Sequence, residues 1–195
     1  WISTTQTISL SGDDVGTWIT LPFNFTFYGV RYNQLWICSN GFASFTDAST
    51  QYSPTSIPSS DAPNSLLAVF WRDLVIDSYA SVQYSSTENY IAITWNNPYN
   101  YGGTSRQKFQ LILFRNGSIK YQYQTITKDK VTSIGIENQD GTTGISYPLD
   151  SLQNGFALIF HPKYRYETVW QFETNGSIMS SPAIADIDND NKPEI

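Results

Sequence analysis

The apolar residues of this chain recur with a period of two, and that period limits its folds more than any other feature. Phe23, Phe25 and Phe27 alternate with Asn24 and Thr26, which in an extended backbone puts three rings on one face. Residues 6–10 alternate likewise and end at Ser11-Gly12-Asp13-Asp14, a run of turn formers. The dipeptides Asn40-Gly41, Asn116-Gly117 and Asp140-Gly141 tolerate positive φ and so suit tight hairpins. Each stands between two β-prone segments: 34–39 and 42–45, 109–115 and 118–124, 133–137 and 144–147. Further strands are expected at 18–21, 22–28, 82–84, 90–95 and 156–160, and the apolar run 66–71 reads as a strand buried on both faces. Residues 47–64, rich in Ser, Thr and Pro, read as a long loop, and 96–103 as a shorter polar-aromatic one. No segment keeps a helical period for the ~11 residues a helix requires. About a dozen short strands separated by turns predict an all-β protein: a two-sheet antiparallel β-sandwich, jelly-roll-like, with a C-terminal extension.

Composition narrows what such a sandwich does. Only 14% of the 195 residues are charged while 15% are aromatic, against about 25% charged in an ordinary soluble protein. Neutral polar residues fill the difference, as they do on the solvent faces of extracellular β-proteins. The net charge is −6 and no Lys/Arg cluster occurs, so nucleic acid is not an expected partner. No apolar run approaches the ~18 residues of a membrane span. The chain opens at Trp1 and stops at Ile195 inside a strand-like run, and reads as a fragment of a longer, processed polypeptide.

Catalytic residue types are scarce. Cys38, in the run Leu35-Trp36-Ile37-Cys38, reads as a buried strand residue. With that one cysteine and the single histidine His161, no zinc site, Cys–His pair or Ser–His–Asp triad can be argued. Asp73, Asp77, Glu88, Glu137 and Asp140 are scattered without the pairing a glycosidase needs. Asp73, directly after Arg72, is expected to hold a neighbouring loop. The chain is therefore not expected to be an enzyme.

Several phrases resemble a nidogen-like β-sandwich module of secreted multidomain proteins of bacteria and archaea. They are LPFNFTFYG (21–29), SNGFASF (39–45), IPSSDAPN (57–64), FWRDL (70–74), FQLILFRNGSIKYQY (109–123) and GIENQDGTTGISY (135–147). Their order and spacing cover residues 18–160. The resemblance implies an extracellular or cell-surface sandwich at 1–166 that travels with many different activities. Residues 169–195 resemble the opening of an FG-GAP-type β-propeller repeat, so 167–195 is expected to be a linker and a truncated first repeat.

Three candidate sites remain. Asp186, Asp188, Asp190 and Glu194 stand at positions 1, 3, 5 and 9 of a D-x-D-x-D-x-x-x-E loop. Such a loop presents hard oxygen ligands to calcium, with the Lys192 carbonyl at position 7. Asn191 replaces the usual glycine at position 6 and is the residue best able to adopt the positive φ expected there. Trp95, Tyr99 and Tyr101, with the amides between them, have the composition of a sugar-stacking platform. Asn24, Asn116 and Asn175 each begin a glycosylation triplet. The leading expectation is a non-catalytic extracellular module for adhesion, surface assembly or protein–protein contact, with self-assembly by strand addition as one form. The alternative is a carbohydrate-binding module of a larger secreted enzyme.

Overall fold

Leu21, Phe23, Phe25 and Phe27 are buried along one face of strand β2 (Gly16–Phe27), while Pro22, Asn24 and Thr26 between them are exposed. The alternation thus does what a half-buried strand requires. The computed structural model describes residues 1–162, which form one compact unit, Trp1–Pro162. Asp186, Asp188, Asp190, Lys192, Glu194 and Asn175 lie outside the described residues.

Among the described residues thirteen strands are present: β1 (Gln6–Ile8), β2, β3 (Val30–Cys38), β4 (Phe42–Ser44), β5 (Leu66–Trp71), β6 (Leu74–Val75), β7 (Ser81–Ser86), β8 (Tyr90–Asn100), β9 (Arg106–Phe114), β10 (Ile119–Thr125), β11 (Ser133–Glu137), β12 (Gly144–Ser146) and β13 (Ala157–Phe160). A single 3-10 turn, Leu149–Ser151, precedes β13. One sheet runs β1-β7-β8-β9-β10-β13 with β6 beside β8, and the other β12-β11-β5-β4-β3-β2. All pairings are antiparallel. The fold is therefore the expected two-sheet sandwich. Among the described residues most sheet neighbours are consecutive in sequence, with crossovers at β1–β7, β10–β13 and β11–β5.

The three expected hairpins form where the turn dipeptides stand, with Gly41, Gly117 and Gly141 all at positive φ, and a further one turns at Tyr28-Gly29 between β2 and β3. Two expectations are corrected. Segments 18–21 and 22–28 are one strand, because Pro22 falls where the β2–β3 register shifts between Thr20 and Phe25, so its missing N–H breaks no ladder bond. Residues 96–100 are not loop: β8 runs on to Asn100 through a bulge at which Asn97 takes φ 69°, and Leu74–Val75 pairs with its end. A two-residue strand such as β6 leaves no periodic trace in sequence.

The core lies between the sheets, with Leu35, Ile37, Leu67 and Val69 facing Ile93, Trp95, Phe109 and Leu111, all fully buried. Trp95 stacks on Phe109 at 5.1 Å, and Phe70 packs against Phe109 at 5.4 Å. Three buried polar atoms cross this layer. Trp95 Nε1 donates to the Cys38 carbonyl at 2.8 Å, Tyr123 Oη to Val69 at 2.7 Å, and Tyr121 Oη to Gly135 at 2.9 Å. Each joins one sheet to the backbone of the other and so fixes their registry as well as their separation. Tyr123→Phe is expected to cost about 1–2 kcal/mol, the net worth of such a bond plus a less satisfied buried carbonyl. Equilibrium urea unfolding checks it.

Strand β5 is buried on both faces, as its unbroken apolar run predicts. Leu66, Ala68 and Trp71 form a second cluster with Cys38, Phe42 and Ile57 on the outer side of the sheet. The long loop covers that side. It is held by indole donors, Trp36 Nε1 to the Ser49 carbonyl at 2.7 Å and Trp71 Nε1 to the Gln51 carbonyl at 2.8 Å.

Candidate functional site

The polar phrases that stand out in the sequence converge on three structural locks and one exposed end of the sandwich. Asn40 occupies the turn after β3 and is fully buried. Its Nδ2 donates to Asp14 Oδ1 at 2.7 Å and to the Thr50 carbonyl at 3.1 Å, while its Oδ1 accepts from Leu74 N at 2.9 Å. A single amide therefore ties together the 11–15 turn, the long loop and the start of β6.

Arg72 follows β5 and is 1% exposed. All five of its donors are used. Nε bonds Thr132 Oγ1 at 2.7 Å, Nη1 bonds Asn100 Oδ1 at 3.3 Å and Asp129 Oδ1 at 3.1 Å, and Nη2 bonds the carbonyls of Thr127 at 3.0 Å and Lys130 at 3.1 Å. The guanidinium also lies 4.4 Å from the Phe70 ring centroid. Burial pulls its pKa down, and the bond to Asp129 opposes that shift. Asp129 itself is held below its ordinary value, first by the Thr127 hydroxyl and then by Arg72. Asn100 and Gln107 complete the cage through Asp129 and Thr127. Arg72, Asn100 and Gln107 together fasten the 125–132 loop to the sandwich.

The third lock joins two phrases far apart in sequence. Glu137, buried at the end of β11, accepts from Ser59 N at 2.9 Å, and Ser65 N donates to the Asn138 carbonyl at 3.0 Å. Burial raises the Glu137 pKa. None of the three locks is legible in the sequence, because Asn40, Arg72 and Glu137 do not announce their distant partners.

Asp13, Asp14 and Asp73 meet at one end of the sandwich, with one carboxylate oxygen from each lying within 4.8 Å of the others. The antiparallel bridge Gly12↔Ile76 brings the two segments side by side. The Asp73 backbone carbonyl accepts from Tyr101 N at 3.1 Å, a bond in which the carboxylate expected to hold a neighbouring loop takes no part. Desolvation, then Asp13 and Asp14, push its carboxyl from 3.8 up to about 6. Asp13 is raised for the same kind of reason. Three hard oxygen donors are the type a divalent cation takes, though fewer than the six to eight that calcium prefers. The folded chain binds the Asp73 proton more tightly than the unfolded one. Its destabilising charge is therefore fully present above pH about 6 and fades as pH falls toward 3.8. Asp73→Asn is expected to raise the melting temperature at neutral pH and to flatten its rise on mild acidification, measured by thermal melts across that window.

Tyr101 is 55% exposed and Tyr79 78% exposed at the same end, but Trp95 is fully buried. The three-ring platform is corrected accordingly: a ring with no accessible face cannot stack on a ligand, and the Trp95 indole serves the core. Tyr99 and Tyr79 instead flank Arg106, at 5.1 and 5.8 Å. Arg106 makes a two-pronged ion pair with Asp77, both contacts at 2.7 Å, which holds the Asp77 carboxyl below its ordinary value. Asn24 is exposed on the outer face of β2 and Asn116 at the β9–β10 turn, where its Oδ1 accepts from Ser118 N at 3.0 Å.

Catalytic groupings are sparse among the described residues. Cys38 is buried, and that burial pushes its thiol up to about 12, where no reactive thiolate exists at neutral pH. Ser118 Oγ lies 3.4 Å from His161 Nδ1, at the long limit for a hydrogen bond. Among the described residues His161 makes no hydrogen bond to a carboxylate.

The fold and these locks define an all-β sandwich module whose sequence phrases serve its architecture. The chain belongs to the NIDO-related family, whose model matches residues 2–179, and whose domains are typically extracellular. The match includes the first strand as well as the phrases from 18 onward. No curated protein and no solved structure is significantly similar to the chain. Among the described residues no helix is long and apolar enough to cross a membrane.

Proposed function

We propose that this chain is a non-catalytic extracellular module acting in adhesion, surface assembly or protein–protein contact. The observation that carries the reading is the use of its motif polar groups. Asn40, Arg72 and Glu137 are consumed in bonds that fasten loops to the sandwich, and the exposed surface is neutral-polar and aromatic. Such a body is a rigid scaffold that presents loops and edges. The test offers the purified, fluorescently labelled chain to intact cells and to immobilised surface proteins, beside assays for turnover of polysaccharides and peptides. Retention without turnover is expected. Turnover, or failure to bind any surface, overturns the reading.

A carbohydrate-binding module is the second reading, favoured by the exposed Tyr79 ring beside Arg106 and by the exposed Tyr101 ring. A glycan array with Tyr79→Ala and Tyr101→Ala variants decides it, and unchanged array signals would remove it. Calcium at Asp186, Asp188, Asp190, Lys192 and Glu194 belongs to the same proposal. Calorimetric titration with the metal, beside Asp188→Asn and Asp190→Asn variants, checks it.

A further inference from the structure

We propose that the cavity between the β2–β3 turn and the β11–β12 turn is a binding site for a single neutral sugar ring. Both turns belong to family-like phrases, LPFNFTFYG and GIENQDGTTGISY, and neither phrase names a ligand by itself. Strand β11 carries Ser133 beside Trp71 and ends at Glu137, and β2 runs from Gly16 beside Cys38 to Phe27. Their outgoing turns therefore meet at the end of the smaller sheet away from Asp73. The site is separate from the Tyr79 and Tyr101 rings and does not rest on them.

The two walls differ in chemistry. The β2–β3 turn supplies Tyr28 and Val30, both exposed, beside the buried Phe27. The β11–β12 turn supplies Gln139, Asp140 and Thr143. Bonds inside that turn occupy Asp140 Oδ1 and both ends of the Asn138 amide. Among the described residues Asp140 Oδ2, the Gln139 amide and the Thr143 hydroxyl have no partner. An occupant must then offer an apolar face to one wall and hydrogen-bonding groups to the other. A pyranose does both, with C–H groups on its face and hydroxyls around its rim. Asp140 is the one charged residue lining the cavity among the described residues, so it accepts from hydroxyls and repels an anionic sugar. The volume, about 140 Å³, is below the roughly 300–1,000 Å³ of pockets that enclose a drug-sized ligand, which limits the occupant to one ring.

The backbone supplies a second, independent reason. Phe27 pairs with Val30, leaving a two-residue turn with φ 46° at Tyr28 and 83° at Gly29. Asn, Asp or Gly suits the first of these positions, whereas the Cβ of a tyrosine is strained there. The turn alone does not call for a tyrosine, and a bulky residue held in such a conformation points to a use for its side chain. The opposite wall is held still by the third lock. Ser59 N donates to Glu137, Ser65 N donates to the Asn138 carbonyl, and Gly141 packs directly on the Ser59 carbonyl. The polar groups are thus in place before a ligand arrives, which lowers the ordering cost of binding.

The test is an amide NMR titration of the full chain with the methyl glycosides of glucose, galactose, mannose, fucose, xylose, N-acetylglucosamine and N-acetylgalactosamine. At least one is expected to give saturable shifts confined to residues 27–30 and 138–143. Tyr28→Asn removes the ring but suits the turn, so it should melt no lower than the parent while weakening that binding by about tenfold. Gln139→Ala, whose amide the turn does not use, should weaken it too. Shifts from none of the glycosides overturn the proposal. So do shifts centred on Tyr79 and Tyr101 instead, or undiminished binding by Tyr28→Asn. Retention of the chain on cell surfaces beside any of these results would overturn this site alone and leave the adhesion reading standing.

Discussion

Replacing Arg72 with methionine is expected to destabilise the protein by about 3–5 kcal/mol, the largest effect of any single polar substitution in this fold. Domains of this size are stable by only about 5–15 kcal/mol, so the variant would unfold well before the parent in urea. The cause is the number of groups that depend on one guanidinium: two backbone carbonyls, two side-chain oxygens from Asn100 and Thr132, and the Asp129 carboxylate. Arg72→Lys keeps the charge but not the planar five-donor fork, so it recovers only part of the loss. Asp129→Asn is the control. Asp129 is 46% exposed, water can replace its partner, and the cost should stay within about 1 kcal/mol. If Arg72→Met and Asp129→Asn proved equally mild, the cage would not be what fastens the 125–132 loop.

Gly141→Ala is expected to cost about 2–4 kcal/mol through backbone collision rather than lost contacts. Gly141 sits at φ +65°, and a Cβ there would stand 1.8 Å from the Ser59 carbonyl oxygen and 2.7 Å from Asn64 Oδ1. Neither the 57–64 loop nor the β11–β12 turn can yield without pulling Ser59 N off Glu137. Gly29→Ala is the matched comparison: it also has positive φ, +83°, but nothing lies within 4 Å. It should show only the conformational penalty, about 1–2 kcal/mol. The gap between the two melting temperatures isolates the collision, and limited proteolysis within 57–64 should quicken in Gly141→Ala alone.

Two of the family-like phrases gain their meaning from this contact. IPSSDAPN and GIENQDG are separated by 70 residues or more, yet they are the two halves of one lock. SNGF and FWRDL are similarly explained, by the Asn40 amide and the Arg72 cage. In each case the sequence shows a recognisable phrase but not its partner, since the bond that matters joins residues remote along the chain.

What the sequence determined by itself is whatever depends on neighbours along the strand. The period of two placed Phe23, Phe25 and Phe27 inward, and the apolar run 66–71 foretold burial on both faces. Asn40-Gly41, Asn116-Gly117 and Asp140-Gly141 located the β3–β4, β9–β10 and β11–β12 hairpins, because φ preference is a property of the residue itself, whereas the Tyr28-Gly29 turn between β2 and β3 went unread. The tertiary structure alone decided what depends on distance through space. Trp95 was legible as aromatic and strand-ending, yet only the packing of the opposite sheet buries it and hands its N–H to Cys38. The acidic trio formed because a two-residue β-bridge carried Asp13 and Asp14 to Asp73, and no local pattern encodes that meeting. That β2 has β3 on one side and, among the described residues, no strand on the other is of the same kind. A strand's sequence tells which face it buries, but whether a neighbour lies beside it is settled by the order of strands in the sheet, which hydrogen bonds between distant segments decide.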